Sequence, residues 1–220
     1  MLENGTPMTQ QQLYLYAIAL DPTHAPAYNN LGVTMPVGGS ITLESGTPMT
    51  QQQLFLRAIV LDPNCALAYF NLGCTLPAGG SITLENGTPM TQQQLFLRAI
   101  ALDPDCDALA YFNLGCTLPA GGSITLENGT RMAQQQLFLR TIALDPNNCS
   151  LAYINLGSML PHGGSITLES GTPMTQQQLF LRAITLNPNG APAYVNLAAT
   201  LPAGGSIMLE NGTRMTQQQL

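Results

Sequence analysis

The sequence predicts a mainly α fold, an α-solenoid of about five stacked helix pairs with a short β-hairpin in each unit, and three observations carry that prediction. First, Leu20-Asp21-Pro22 returns as Leu61-Asp62-Pro63, Leu102-Asp103-Pro104, Leu144-Asp145-Pro146 and the variant Leu186-Asn187-Pro188, at intervals of 41, 41, 42 and 42 residues. Second, each interval holds two apolar runs with helical spacing. Third, a glycine-rich, briefly alternating run separates them. A fixed period of this length marks units too small to bury their own apolar face, which complete a core by stacking on their neighbours.

The second copy, Asn64 to Pro104, shows the elements in order. Ala66 to Leu76 sets Tyr69, Leu72 and Leu76 on one helical stripe, at i, i+3 and i+7, until Pro77 stops it. The spacing predicts a helix of about eleven residues. In the first and fifth copies this helix opens with Pro26-Ala27-Tyr28 and Pro192-Ala193-Tyr194, and proline suits a first turn whose N–H groups have no intrahelical partner. Gly79-Gly80 then introduces Ser81 to Met90, where Asn86-Gly87 between alternating flanks signals a hairpin. Two copies carry Ser45-Gly46 and Ser170-Gly171 there, and serine tolerates positive φ poorly. A three-residue loop with glycine in the left-handed region therefore fits better than a two-residue turn. That register sets Ile82 opposite Met90, on the face of Leu84, and turns the nitrogen of Pro89 away from its partner strand. Thr91 is the expected N-cap of a second helix, Gln92 to Leu102, stopped by Asp103-Pro104.

One array spans residues 1–220: a partial leading unit at 1–22, then 23–63, 64–104, 105–146, 147–188 and a partial 189–220. It starts inside a hairpin at Leu2-Glu3-Asn4-Gly5 and stops at Gln219-Leu220, in the opening turn of a second helix. Ends without a polar capping helix lead us to expect a fragment of a longer protein or an array that self-associates end to end.

Composition narrows the function. Charged residues make up only 8% of the chain, against about 25% in ordinary soluble domains. There is no lysine, and six arginines face twelve carboxylates for a net charge of −6. Nucleic acid and acidic membrane surfaces both require a basic stripe, so neither is an expected partner. No apolar run approaches a membrane span and no signal peptide is visible, which points to the cytoplasm. The five cysteines, Cys65, Cys74, Cys106, Cys116 and Cys149, show no C-x-x-C spacing and read as reduced apolar fillers.

These residues resemble the tetratricopeptide repeat, whose pattern runs W-x₂-L-G-x₂-Y, then A-x₃-F, then P. Tyr69, Leu72, Gly73 and Leu76 match the first helix, and Phe96, Ala99 and Pro104 the second. Two departures stand out. Gln92 occupies a position where the family prefers alanine, and Ser81 to Thr91 replaces a short turn. The resemblance implies an interaction scaffold that binds a protein or peptide along a concave face lined by first helices. Hairpins could further join edge to edge into one sheet, at about 4.8 Å per strand against roughly 8–10 Å per helix layer, or protrude separately.

Periodicity turns single residues into ladders. Asn30, Asn71, Asn113, Asn155 and Asn196 each sit two residues after the tyrosine. The resemblance places this position in the groove, where a similar asparagine ladder in O-linked GlcNAc transferase grips polypeptide backbone; the alternative is an amide bonded within its unit or to the next helix. A second ladder, Arg57, Arg98, Arg140 and Arg182, is a further candidate for partner contact, or forms modest ion pairs with repeated carboxylates such as Asp62 and Asp103. Hairpin tips carry Glu3, Glu44, Glu85, Glu127, Glu169 and Glu210. The glutamine triplets read as solvated helix surface, and Tyr28, Tyr69, Tyr111, Tyr153 and Tyr194 as packing residues.

Nothing points to an enzyme, a cofactor or a metal: His24 and His162 occupy different places in their units and have no recurring ligand or triad partners. Competing with the scaffold are a structural spacer or assembly array, and the regulatory arm of a larger enzyme resembling a glycosyltransferase.

Overall fold

The computed structural model describes residues 7–105 and 108–220, so Glu3, the Leu2 to Gly5 turn and Cys106 lie outside the described residues. The helices are α1 (Gln10–Leu20), α2 (Ala25–Val33), α3 (Gln51–Leu61), α4 (Ala66–Cys74), α5 (Gln92–Leu102), α6 (Ala108–Cys116), α7 (Gln134–Leu144), α8 (Ser150–Met159), α9 (Gln176–Leu186) and α10 (Ala191–Ala199). Antiparallel strand pairs lie between them: β1 (Ser40–Thr42) with β2 (Pro48–Thr50), β3 (Ser81–Thr83) with β4 (Pro89–Thr91), β5 (Ser123–Thr125) with β6 (Arg131–Ala133), β7 (Ser165–Thr167) with β8 (Pro173–Thr175), and β9 (Ser206–Met208) with β10 (Arg214–Thr216). This is a mainly helical repeat fold. Two compact halves divide the chain, Met1–Pro104 and Asp105–Leu220. Within each half, packing runs between helices adjacent in sequence, as stacking of small units requires.

The second helices begin and end where expected, because their signals are local. Thr91 caps α5 by accepting the Gln94 N–H at 3.2 Å, and the Gln94 side chain returns to the Thr91 N–H at 2.8 Å. The first helix α4 stops two residues short of expectation: Thr75 and Leu76 form a tightened turn on Leu72 and Gly73, with the Thr75 hydroxyl donating to the Leu72 carbonyl at 2.7 Å. Pro77 explains this, since a following proline disfavours helical geometry at Leu76.

Each core layer is built on one contact. Phe55, Phe96, Phe138 and Phe180 are fully buried, each lying on the glycine of its own copy's first helix. A Cβ on Gly32, Gly73, Gly115 or Gly157 would stand 2.6, 2.7, 2.8 or 2.7 Å from the ring. The Leu-Gly dipeptide is thus a leucine knob beside a seat for an aromatic ring. The tyrosines pack as expected, and their hydroxyls also reach the turn preceding their helix: Tyr28 donates to the Pro22 carbonyl at 3.2 Å, Tyr153 to Pro146 at 3.3 Å and Tyr194 to Pro188 at 3.0 Å.

The glutamine triplets are not mere solvated surface. The first member reaches back to the frayed end of the preceding first helix, as when Gln92 Nε2 donates to the Gly73 and Leu76 carbonyls at 3.1 and 2.9 Å. Gln51, Gln134, Gln176 and Gln217 repeat this pair of bonds. The middle member reaches forward in several copies; Gln52 donates to the Thr75 hydroxyl at 3.1 Å. The third completes the cap. Unsatisfied carbonyls at a helix end must find donors, and a glutamine at this place supplies them.

Hairpin register follows the sequence reading. Ile82 stands opposite Met90, and Gly46 and Gly87 take φ of 84° and 85° at the end of three-residue loops. Among the described residues, the strands within each half pair only inside their own hairpin, and edge-to-edge joining is not seen. The outward donor positions of β4 are Pro89, which has no N–H, and Thr91, whose N–H is held by Gln94. The same applies to β2, through Pro48 and the bond from Thr50 to Gln53, and to β8, through Pro173 and the bond from Thr175 to Gln178. In β6 and β10 an arginine replaces the proline and charges the edge.

One copy departs from the capping scheme. Ala133 precedes α7 and keeps only half of the box, its N–H donating to Gln136 Oε1 at 2.8 Å. Ala133→Thr is expected to stabilise the chain by about 1 kcal/mol, read as a higher urea midpoint at unchanged slope. An unchanged or lower midpoint would show that the hydroxyl contributes nothing at this helix.

Candidate functional site

Along each first helix, residues at i, i+4 and i+7 form a stripe turned away from the buried alanine, tyrosine and leucine. In α4 these are Leu67, Asn71 and Cys74; in α6 Leu109, Asn113 and Cys116; in α8 Leu151, Asn155 and Ser158. Asn30 on α2 and Asn196 on α10 hold the same place. All five asparagines are half-buried. Leu109 and Leu151 are 51% and 53% exposed, so the stripe presents aliphatic surface beside each amide.

The amides hold neighbouring first helices together. In the first half, Asn71 Nδ2 donates to Asn29 Oδ1 at 2.9 Å, and Asn29 Nδ2 to Asn30 Oδ1 at 3.2 Å. In the second, Asn155 Nδ2 donates to Cys116 Sγ at 3.8 Å and Asn196 Nδ2 to Ser158 Oγ at 3.3 Å. Asn71, Asn155 and Asn196 each spend one N–H in this way, whereas Asn30 accepts through its oxygen. A carbonyl oxygen and a second N–H remain for Asn71, Asn155 and Asn196. The asparagines at this position make contact with a neighbouring helix, and for Asn71, Asn155 and Asn196 that contact leaves half the amide unused.

The arginines lie elsewhere. Arg140 Nη2 pairs with Asp105 Oδ1 at 2.6 Å and Nη1 with Glu169 Oε2 at 3.4 Å, while its guanidinium carbon stands 6.0 Å from the centre of the Tyr111 ring. Arg182 Nη2 donates to Asn147 Oδ1 at 2.9 Å, the position in the next copy that corresponds to Asp105. Tyr111 and Asn113 are two residues apart, about 200° around the helix, so these cations face away from the asparagine row. Arg57 and Arg98 occupy the same position on α3 and α5 and are half-buried.

The ion-pair partners of Arg140 are Asp105 and Glu169 rather than the aspartate of the Leu-Asp-Pro turn. Asp62 is occupied by its own turn, accepting the Asn64 N–H at 3.0 Å, and Asp145 accepts Asn147 and Asn148 in the same way. A carboxylate folded onto its own backbone leaves the arginine to the residue after the proline and to the hairpin tip.

Reactive chemistry finds little footing. Burial pushes the Cys149 thiol up to about 12, and burial also raises the Tyr111 and Tyr153 phenols against the pull of Arg140 and Arg182. Such a thiol stays protonated and is a poor nucleophile. Among the described residues no group of three or more His, Cys, Asp and Glu side chains could hold a metal ion. An open cleft of about 370 Å³ in the first half is lined by Leu56, Ile59, Val60, Pro63, Tyr69, Leu84, Glu85 and Asn86. It offers one carboxylate on an apolar wall. Among the described residues no helix is long and apolar enough to cross a membrane.

Residues 13–53 match the family model described as tetratricopeptide repeat. Among solved structures, YrrB, described as a TPR protein with an unusual peptide-binding site, is 18% identical at a TM-score of 0.49, over 86% of this chain and 82% of its own. A Thermobaculum terrenum O-GlcNAc transferase mutant, K341M, is 19% identical at a TM-score of 0.40, over 81% of this chain but only 27% of its own. No curated protein matches the chain significantly.

Proposed function

We propose that this chain, a tetratricopeptide-repeat protein, is an interaction scaffold that takes an extended peptide or a segment of a partner protein along the face of its first helices. Membership rests on residues 13–53, which span one repeat, and on the near-identical copies that follow them. The observation that carries the functional reading is the half-spent amides of Asn71, Asn155 and Asn196, each bonded through one N–H to the neighbouring first helix. An amide with a free carbonyl and a free N–H can satisfy both groups of a peptide backbone without reading its side chains. Because the amide is pinned to the adjacent helix, it is ordered before a partner arrives, which lowers the entropic cost of binding. The family fits this reading; Arg140 is engaged by Asp105 and Glu169 and Arg182 by Asn147, so the reading rests on the asparagines rather than the arginines.

Replacing Asn71, Asn113 and Asn155 together with alanine is expected to cut recovery of a partner in a pull-down by about tenfold or more. The Asn71 and Asn155 substitutions each also remove an interhelical bond worth about 1 kcal/mol, so the variant's melting curve must be recorded beside the binding data. Recovery that persists in a folded variant would overturn the scaffold reading in favour of a structural array.

A further inference from the structure

The open cleft of about 370 Å³ in the first half lies on the side of α4 turned away from the asparagine row, because Tyr69 on its wall and Asn71 are two residues, or about 200°, apart. Its volume falls within the range of small-molecule sites, roughly 300–1,000 Å³, which are mostly apolar with a few placed polar groups. Leu56, Ile59 and Val60 on α3, together with Leu84 after β3, supply the apolar walls, and Glu85 follows at the hairpin tip. Val60 is exposed, so water covers aliphatic surface there.

Glu85 lacks the partner that this place supplies elsewhere. In the second half the Thr185 hydroxyl on α9 donates to Glu210 at 2.6 Å, and Arg140 on α7 pairs with Glu169 at 3.4 Å. Val60 holds the position of Thr185 and cannot donate, while Arg57, which holds that of Arg140, makes no bond to Glu85. Among the described residues the Glu85 carboxylate therefore has no hydrogen bond or ion pair. The Tyr69 hydroxyl has none either, whereas Tyr28, Tyr153 and Tyr194 donate to a proline carbonyl.

These groups select a ligand by charge. An acid would be repelled by Glu85, and a neutral apolar molecule would strip water from the carboxylate without replacing its hydrogen bonds. A protonated amine on an aliphatic body satisfies both parts of the cleft: the body covers the aliphatic walls, as the stem of a lysine does, and the ammonium donates to the carboxylate. We propose that this cleft is a binding site for a small organic ammonium ion, an alkylamine in its protonated form, held by Glu85 and the Tyr69 hydroxyl over Leu56, Ile59, Val60 and Leu84. The chain's net charge of −6 favours such a cation over an anion. The site stands apart from the asparagine row and does not depend on the scaffold reading.

Valine-selective methyl labelling of the full chain gives a direct readout by nuclear magnetic resonance, because the chain has only four valines, Val33, Val37, Val60 and Val195. Titration with hexylammonium chloride is expected to shift the Val60 methyls saturably, to leave the other three in place, and to do so at about fivefold lower concentration than hexanol, with hexanoate giving no shift. Glu85→Gln, a change at an exposed hairpin tip, should bring hexylammonium to the level of hexanol, while Glu44→Gln at the preceding tip changes nothing. Equal affinity for the amine and the alcohol, no saturable shift at Val60, or an unchanged affinity in Glu85→Gln overturns the proposal. So does tighter binding of N-acetyl-lysine methylamide than of hexylammonium, which would make the cleft a pocket for a lysine side chain of a partner protein. None of these outcomes bears on the asparagine row, which its own alanine variant tests separately.

Discussion

Phe96→Ala is expected to lower stability by about 3–5 kcal/mol, against the roughly 5–15 kcal/mol that holds an ordinary domain together. The ring is fully buried, lies on Gly73 and stands 6.0 Å from the ring of Phe70. Removing it empties the contact between α4 and α5, on which the coupling of neighbouring elements depends. Loss of coupling in a repeat array shows as a broadened or split transition, so denaturation should be followed by circular dichroism together with hydrogen exchange at α5.

A companion substitution isolates the seat itself. Gly73→Ala places a methyl 2.7 Å from the Phe96 ring and should cost about 1–3 kcal/mol in the native chain. In the Phe96→Ala background the obstacle is gone, and the same change should stabilise by about 1 kcal/mol through helix propensity. That reversal of sign is the signature of direct contact in a double-mutant cycle. Additive effects would mean that Gly73 is there for another reason.

How much of this was legible in the sequence depends on how far each interaction reaches. Period, helix starts, hairpin register and the left-handed glycines at Gly46 and Gly87 depend on neighbours within a few residues, and all followed from the chain. The end of α4 moved because Thr75 and Pro77 act together on one turn. Longer reaches were not visible. Gln92 meets carbonyls 16 and 19 residues upstream, and Arg140 meets Asp105 and Glu169 at separations of 35 and 29, positions that no local pattern marks. The asparagine row was visible as a ladder, yet its bonds to the preceding first helix needed the packed geometry.

Gln92 allows the sharpest test of such a hidden interaction. Gln92→Met keeps the side chain's length and volume but removes both donors, so at a part-buried helix end the Leu76 carbonyl loses its donor while the Gly73 carbonyl keeps only the Leu76 N–H. Leaving a buried acceptor unpaired costs about 1–3 kcal/mol, and the variant should lose that much in urea denaturation. Gln51→Met provides the control. Gln51 makes the same two bonds, at 3.0 and 3.1 Å to Gly32 and Met35, but its own Oε1 is buried without a partner among the described residues. Substitution there removes an unsatisfied oxygen along with the donors, and the two effects offset one another. Gln51→Met should therefore be milder than Gln92→Met by about 1 kcal/mol or more. Equal losses would show that the Gln51 oxygen is satisfied in solution. If neither variant loses stability, the glutamine is not what holds the frayed carbonyls, and its first place in the triplet belongs after all to solvated surface.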